Sequence, residues 1–248
     1  MVVQLSDVSI LSGLLGLINI SIAFFYGGIV LYKGLQTKEK RLYYFFLTVI
    51  FTISPWFSSA FGYLYWLFTG DLLEYEVYIL VGMLGVPIAL ISWFQIYFGA
   101  LHAEKKKMAT YIITIISIFY YFYLFYFLFF AAGAPVKDLI GIIEAPNDIT
   151  YKGFVLVYLF LSILITLITG LDFSRASLKA RGDRSLVWRG RFLIISFILF
   201  PIGAIGDGLV ELNEINLIIF RSILVASSTF FYIGFIMPKW MKKLLSLT

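Results

Sequence analysis

The chain has 248 residues with a formal net charge of +5; 61% of the residues are hydrophobic, only 13% are charged, and the mean hydropathy is +0.96. Soluble domains contain about half apolar and a quarter charged residues, so this composition excludes water as the main solvent of the protein. The lack of cysteine and the single histidine, His102, also exclude disulfides, Cys-ligated metal sites and bis-histidine haem.

Seven apolar runs follow one another along the chain. They cover about residues 9–32, 42–69, 77–100, 109–131, 153–171, 192–210 and 215–237. Each run has about the 20 residues that a helix needs to cross a bilayer, and the connections leave no room for a soluble catalytic domain. We therefore expect an all-α membrane protein, with a seven-transmembrane-helix bundle over residues 1–238 and a short basic cytoplasmic tail over residues 239–248.

The basic residues are distributed unevenly between the two sides of this bundle. The connections after the first, third and fifth runs, together with the tail, hold 16 of the 19 lysine and arginine residues. Because cytoplasmic loops are enriched in these residues, we expect the N-terminus outside the cell and the C-terminus in the cytoplasm. The predicted location is the cell membrane, which the chain crosses several times. The basic rim is expected to contact anionic lipid headgroups of the bilayer and not nucleic acid.

Prolines occur at matching places in the second and sixth runs. Pro55 is followed by Ser58, and Pro201 is followed by Gly203, while Pro87 lies in the third run. A proline removes a backbone hydrogen bond and kinks its helix, so we expect the second and sixth helices to bend around a common cavity. The pairing is also compatible with an ancestral three-plus-one-plus-three duplication.

Arg221 is the only charged residue inside the seventh run. It lies seven positions after Glu214, which places it roughly 10 Å deeper along a helix. A guanidinium that faces lipid at that depth costs several kcal/mol, so Arg221 is predicted to face the bundle and to pair with Asp207, Glu211 or Glu214. Two interpretations stay open, an ion pair that locks two helices together and a charge that binds a ligand. The acidic residues match no metal-binding or catalytic motif, and no catalytic or metal site is predicted.

Uncharged polar side chains inside the runs are further candidates for the lining of a cavity. Ser58 in the second run, Trp93 in the third and Ser228 in the seventh are the ones we include with the charged residues as candidate ligand contacts. Serine hydroxyls in membrane helices more often bond back to a carbonyl of their own helix.

The number of helices, the orientation and the length resemble the rhodopsin-like heptahelical architecture, including the microbial rhodopsins. Those pigments attach retinal through a lysine in the middle of the seventh helix. The corresponding run here, EINLIIFRSILVASSTFFYIGFIMPKW, has no lysine before Lys239 at its end. Without an amine to form a Schiff base, no covalent retinal is expected, and no other cofactor is predicted.

The end of the seventh run carries a second resemblance. The segment YIGFIMPKWMKKL, from Tyr232 to Leu244, is similar to the membrane exit of heptahelical sensor regions in prokaryotic signalling proteins. In those proteins a kinase or another output domain follows, and here none follows Thr248. The resemblance implies either a separate cytoplasmic signalling partner or a longer protein of which this sequence is a part.

The sequence therefore favours a sensor or receptor-like membrane protein over an enzyme. We expect a small apolar or anionic ligand in an outward-facing cavity between the second, third, sixth and seventh helices, with Arg221 as the charged anchor. One alternative is a small-solute transporter or channel of the three-plus-one-plus-three type. The other is an intramembrane lipid-modifying enzyme that uses Asp207 or Glu211 as acid and base.

Overall fold

The computed structural model describes residues 3–131, 139–145, 148–179, 183–210 and 213–247. We number the helices and strands of these residues in chain order: α1 (Asp7–Thr37), α2 (Lys40–Thr52), α3 (Phe57–Thr69), α4 (Tyr75–Met83), α5 (Gly85–Leu101), α6 (Lys106–Phe125), β1 (Gly141–Ala145), β2 (Asp148–Tyr151), α7 (Gly153–Leu178), α8 (Arg184–Leu209), α9 (Glu214–Ile236) and α10 (Lys239–Leu244).

The long helices confirm the prediction of a helical, multi-pass membrane protein. Among the described residues, six segments are long and apolar enough to cross a membrane: α1, α4 with α5, α6 with its flanking turns, α7, α8 and α9. The helices α2 and α3 pass the same test only together, and they are bent by 41° relative to each other. The count is therefore six spans, or seven when this bent pair is one span.

Polar side chains begin three of the long helices. The Ser6 hydroxyl accepts a hydrogen bond from the backbone N–H of Ser9, Asp183 caps the start of α8, and Asn213 caps the start of α9. Each cap satisfies an N–H group that has no partner within the helix. Each of these three helices thus begins where the sequence supplies a capping residue.

The connection between α6 and α7 contains a feature that the all-α prediction missed. The strands β1 and β2 form an antiparallel hairpin, with Gly141 opposite Tyr151 and an irregularity in register between Ile143 and Ala145. The Tyr75 hydroxyl at the start of α4 donates a hydrogen bond to the Gly141 carbonyl, 2.7 Å away. The hairpin is thereby fixed against the bundle.

The two ends of the bundle differ in the elements that they carry. At one end Val3 donates to the Gly70 carbonyl and accepts from the Trp66 indole, so the chain start packs on the α3–α4 connection near the β-hairpin. We call this the hairpin end. The connections 38–39 and 102–105, the end of α7, the start of α8 and the segment 237–247 lie at the opposite end, which we call the basic end.

Only one of the predicted proline kinks interrupts its helix. Pro55 lies in a 3-10 turn, Ser54–Trp56, at the bend between α2 and α3. Pro201 lies inside α8, which continues unbroken on both sides. Pro87 is the third residue of α5, and the N–H group that it lacks would otherwise bond to the carbonyl of Met83, next to the break at Leu84 between α4 and α5. Among the described helices, the α2–α3 pair at Pro55 is the one that is bent by more than 40° at a break.

Trp93 lies at the centre of the main apolar core and is 1% exposed. Its indole contacts the rings of four phenylalanines, which α7, α8 and α9 contribute: Phe173, Phe197, Phe231 and Phe235. Phe45 of α2 stacks on the Phe231 ring and lies tilted against the Phe235 ring. We call these six side chains the aromatic layer. Large apolar side chains on α6 and α7 remain exposed, as helices that face lipid require.

Candidate functional site

Arg221 lies two turns into α9 and is only 4% exposed. Its Nε donates to Asp207 Oδ1 at 3.2 Å, and its two terminal nitrogens donate to the backbone carbonyl and to the hydroxyl of Ser12. The prediction that Arg221 faces the bundle and pairs with an acidic residue is confirmed. The guanidinium connects α9 to both α8 and α1.

Asp207 is held on its other side by Trp56. The Trp56 indole N–H donates to Asp207 Oδ2 at 2.6 Å, and the Asp207 side chain is 10% exposed. Trp56 ends the 3-10 turn at the bend between α2 and α3. We call the four residues Ser12, Trp56, Asp207 and Arg221 the Arg221 cluster. Because both charged groups are hydrogen-bonded, the cluster meets the condition under which a buried ion pair is tolerated.

A cavity of about 140 Å³ borders the Arg221 cluster at the hairpin end. Leu156, Leu159 and Phe160 of α7 form an apolar wall. Six of its residues bring polar groups: Ser59, Tyr78, Asp148, Tyr151, Asp207 and Arg221. We call this space the main cavity. It combines a mostly apolar surface with a few convergent polar groups, which is typical of small-molecule sites.

Tyr151 brings a buried phenol from strand β2 to the main cavity. No described residue lies in hydrogen-bonding geometry to its hydroxyl. Burial raises the pKa of Tyr151 above its usual value. The phenol is therefore neutral at physiological pH, and its hydroxyl is available to a ligand.

The charges around the main cavity disfavour an anion. Its described lining contains the carboxylates of Asp148 and Asp207 and the guanidinium of Arg221. Arg221 is already paired with Asp207, so its positive charge is not free to attract an anionic ligand, and the lining is better suited to a neutral or cationic one. The role of Arg221 as an anchor for an anion, expected from the sequence, stays a prediction that this geometry does not favour.

Two smaller cavities continue from the main cavity toward the aromatic layer. The first, about 70 Å³, shares Trp56 and Ala204 with the main cavity, and the second, about 50 Å³, shares Trp93 and Thr166 with the first. Threonine and serine hydroxyls line both, and Ser228 lines the second. The three cavities form a series that ends at the aromatic layer.

The other predicted site residues that the structure describes do not line the main cavity. Ser58 is buried beneath it and donates to the Tyr78 carbonyl at 2.6 Å, so it joins α3 to α4. Trp93 lies deeper, where its indole donates to Thr169 at 2.7 Å. Glu214 is exposed at the start of α9. Glu211 lies outside the described residues.

Three contributors to the site were missed at the sequence level. Trp56 follows Pro55 directly, and a bend leaves space for an indole to point into the bundle, so its position was a usable signal. Ser12 is a small residue one turn before Gly16, a spacing that predicts close helix packing and gives no sign of a bond to Arg221. Tyr151 lies in a polar connection, and no pattern in the sequence marks it as buried.

No group of three or more His, Asp or Glu side chains among the described residues is arranged to hold a metal ion. Comparison of the chain with protein-family models, with curated proteins and with solved structures gave no match. The functional argument therefore rests on the geometry of the site.

Proposed function

We propose that the protein is a seven-helix membrane sensor of the receptor-like kind, with its hairpin end outside the cell and its basic end in the cytoplasm. It binds a small ligand in the main cavity and passes this event to a cytoplasmic partner. The excess of lysine and arginine at the basic end supports the orientation. When α2 and α3 are counted as one span, the number of crossings is odd, as it must be when the two termini lie on opposite sides of the membrane.

The main cavity beside the Arg221 cluster is the observation that carries the proposal. Its volume of about 140 Å³ suits a ligand the size of one six-membered ring, because an engineered cavity of about 150 Å³ binds benzene. The apolar wall from α7 supplies contact area, and the Tyr151 hydroxyl and the Asp207 carboxylate supply hydrogen-bonding groups. A neutral or cationic ring compound with a donor group fits this lining.

The position of Trp56 connects ligand binding with helix geometry. Its side chain lines the main cavity, while its backbone ends the 3-10 turn at the α2–α3 bend. A ligand that bonds to Asp207 competes with the Trp56 indole and with Arg221. It thereby favours a different angle between α2 and α3 and a different contact with α9. Since α9 leads directly to the basic segment that follows it, the change reaches the cytoplasmic end.

The proposal is tested by thermal unfolding of the purified protein with phenol, benzylamine and benzoate as probes. Phenol and benzylamine are expected to raise the unfolding midpoint, and benzoate is expected to raise it less because Arg221, the cation of the described lining, is already paired with Asp207. A probe at ten times its Kd stabilises the folded state by about 1.4 kcal/mol. A preference for benzoate, or no shift with any probe, would contradict the proposal.

A matched pair of substitutions on α8 controls for binding elsewhere. Ile205 lines the main cavity, whereas Ile202, almost one turn earlier, does not line it and is 48% exposed. Ile205→Trp should fill the space and abolish the shift, and Ile202→Trp should leave it unchanged.

For signalling, a fluorophore on a cysteine in place of Lys243 should change its emission when phenol is added, and this response should be lost with Ile205→Trp.

The series of cavities favours transport as the second candidate function. The two smaller cavities extend the path inward, and a further pocket at the basic end lies beyond the aromatic layer. A transporter must open the inner cavities to each side in turn. A cysteine in place of Thr166 should then react with an impermeant thiol reagent from either face of the membrane, whereas in a sensor it should react from the hairpin end alone.

The lipid-modifying alternative is less well supported by the geometry. Its acid–base candidate Asp207 is engaged through both oxygens, with Arg221 on one side and Trp56 on the other. With both oxygens engaged, the carboxylate has no free oxygen to exchange a proton with a lipid substrate.

A further inference from the structure

A separate pocket opens at the basic end of the bundle. Its volume is about 270 Å³, and it shares no described lining residue with the three cavities at the hairpin end. The pocket lies between α1, α2, α5, α7, α8 and α9. We call it the basic pocket.

Three cations from three different helices line the basic pocket. They are Lys33 of α1, Arg41 of α2 and Arg189 of α8, and the one acidic lining residue is Glu39. No ion pair within 4 Å joins any of these four to another described residue. Asp183 attracts Arg189 electrostatically but lies beyond that distance. The pocket therefore has a positive charge that its own acidic residue does not neutralise.

Arg189 has hydrogen-bond donors without adequate partners. Its Nε is buried, and no described residue accepts from it. Its NH1 donates to the Phe235 carbonyl across 3.4 Å, which is longer than the usual range of about 2.7–3.2 Å. A buried donor that lacks a partner is costly, and a planar guanidinium is suited to donating two parallel hydrogen bonds to an oxyanion. The geometry thus leaves a place for an anion beside Arg189.

The inner wall of the basic pocket is apolar. Phe45, Phe173 and Phe235 of the aromatic layer form it, together with Ile96. Lys33, Glu39 and Arg41 are exposed at the opening. An occupant must therefore combine a charged group near the opening with an apolar part. The volume lies just below the range of about 300–1,000 Å³ for drug-sized ligands, so one charged group and a short apolar segment fill it.

We infer that the basic pocket binds a phosphate group, either in the headgroup of an anionic phospholipid or in a small soluble phosphate ester. Phosphate is the anion class that best matches three convergent cations, of which two are arginines. Basic pockets between transmembrane helices at the cytoplasmic side bind phosphorylated headgroups. The inference does not rest on the sensor function, because none of its residues belongs to the main cavity.

The test uses the full chain in nanodiscs and measures binding at constant ionic strength. In the first arm the discs contain only phosphatidylcholine, and inorganic phosphate and glycerol 3-phosphate are titrated by calorimetry. In the second arm the protein is offered a mixture of phosphatidylglycerol and phosphatidylcholine, and the lipids that stay bound are identified by native mass spectrometry. Binding in the first arm indicates a soluble phosphate, and retention in the second indicates a headgroup; either result supports the inference.

Two arginines of α8 give a matched pair for this test. Arg189→Gln should lower the affinity for the phosphate probe, or the retained phosphatidylglycerol, by at least about tenfold. Arg184→Gln removes the same charge from an exposed position of the same helix outside the pocket and should have little effect. Arg189→Lys keeps the charge but loses the planar group, so it should restore binding in part.

Three results would overturn the inference. The first is the lack of binding in both arms. The second is an equal loss with Arg189→Gln and Arg184→Gln, which would mean diffuse attraction to the basic end. The third is equal binding of chloride, which would mean that the pocket does not distinguish phosphate from a simple anion.

Discussion

At the scale of single residues, the Arg221 cluster shows how a charge is accommodated inside an apolar bundle. Arg221 uses three donors and Asp207 uses both oxygens, so neither group is left without a partner. Such a pair adds little stability relative to well-packed apolar residues. Its hydrogen bonds, however, form only when α1, α8 and α9 are arranged in one way relative to one another. Glu214 was an equally plausible partner in the sequence. It lies two turns above Arg221 on the same helix, whereas Asp207 approaches from the neighbouring helix.

The first prediction concerns the loss of one member of the buried pair. Arg221→Ala leaves the Asp207 carboxylate buried with only the Trp56 indole as a described partner, and it should lower the free energy of unfolding by about 3–5 kcal/mol. Unfolding in detergent with increasing denaturant measures this change. Arg184→Ala, at an exposed position of α8, should change it by no more than about 0.5 kcal/mol. Equal effects of the two substitutions would mean that the Arg221 pair is not buried in solution.

The second prediction concerns the hydrogen bond from Trp56 to Asp207. Trp56→Phe keeps an aromatic ring at the bend but removes the indole donor, so the free energy of unfolding should fall by about 1.5–3 kcal/mol. Trp240→Phe is the control, because Trp240 is 58% exposed. The same unfolding assay compares the two variants. A Trp56→Phe protein as stable as the control would show that the 2.6 Å contact contributes nothing.

At the scale of elements, the bundle depends on close contacts between helices at small residues. An added methyl group at Gly13 of α1 would lie 2.3 Å from Tyr63 Cβ of α3, and one at Gly206 of α8 would overlap the Phe220 ring of α9. The sequence shows these glycines but not their partners, since spacing alone does not say which helix faces which.

The bend at Pro55 was predictable because proline removes a backbone donor. The unbroken course of α8 through Pro201 was not, because packing against α7 and α9 decides whether a proline interrupts its helix.

The third prediction compares two glycines of α1. Gly13→Ala should destabilise the protein by about 1–3 kcal/mol, because the new methyl group overlaps the Cβ of Tyr63 and forces α1 away from α3. Gly28→Ala has nothing within 4 Å of the new methyl group. It should be neutral or stabilising by up to about 1 kcal/mol. Chemical unfolding of both variants measures the difference, and a reversed order would contradict the packing of α1 on α3.

At the scale of the whole molecule, composition and periodic apolar runs were sufficient to predict a helical membrane protein. The seven runs correspond to the helices because a bilayer requires a fixed length of apolar helix. The β-hairpin was not predictable, because its sequence is short and mixed in character. The main cavity was not predictable either. It forms where Tyr151 and Trp56 meet Asp207 and Arg221, and these residues are far apart in the sequence.

The fourth prediction tests the orientation. The sequence has no cysteine, so each introduced cysteine is the only thiol. Cysteines in place of Glu74 and Glu214, both exposed at the hairpin end, should react with an impermeant thiol reagent in intact cells. Cysteines in place of Lys107 and Lys243, both exposed at the basic end, should react only after the membrane is opened. Reaction of the second pair alone in intact cells would reverse the orientation.

The most direct test of the central claim measures whether the main cavity is open to the outside and can be occupied. Right-side-out vesicles that contain Ile205→Cys or Ile202→Cys are treated with an impermeant, positively charged thiol reagent. The account predicts that the cysteine at 205 reacts and that phenol slows this reaction, because residue 205 lines the main cavity. The cysteine at 202, which does not line it and is exposed toward lipid, should not react. Failure of the cysteine at 205 to react, or equal reaction at both positions without protection by phenol, would contradict the account.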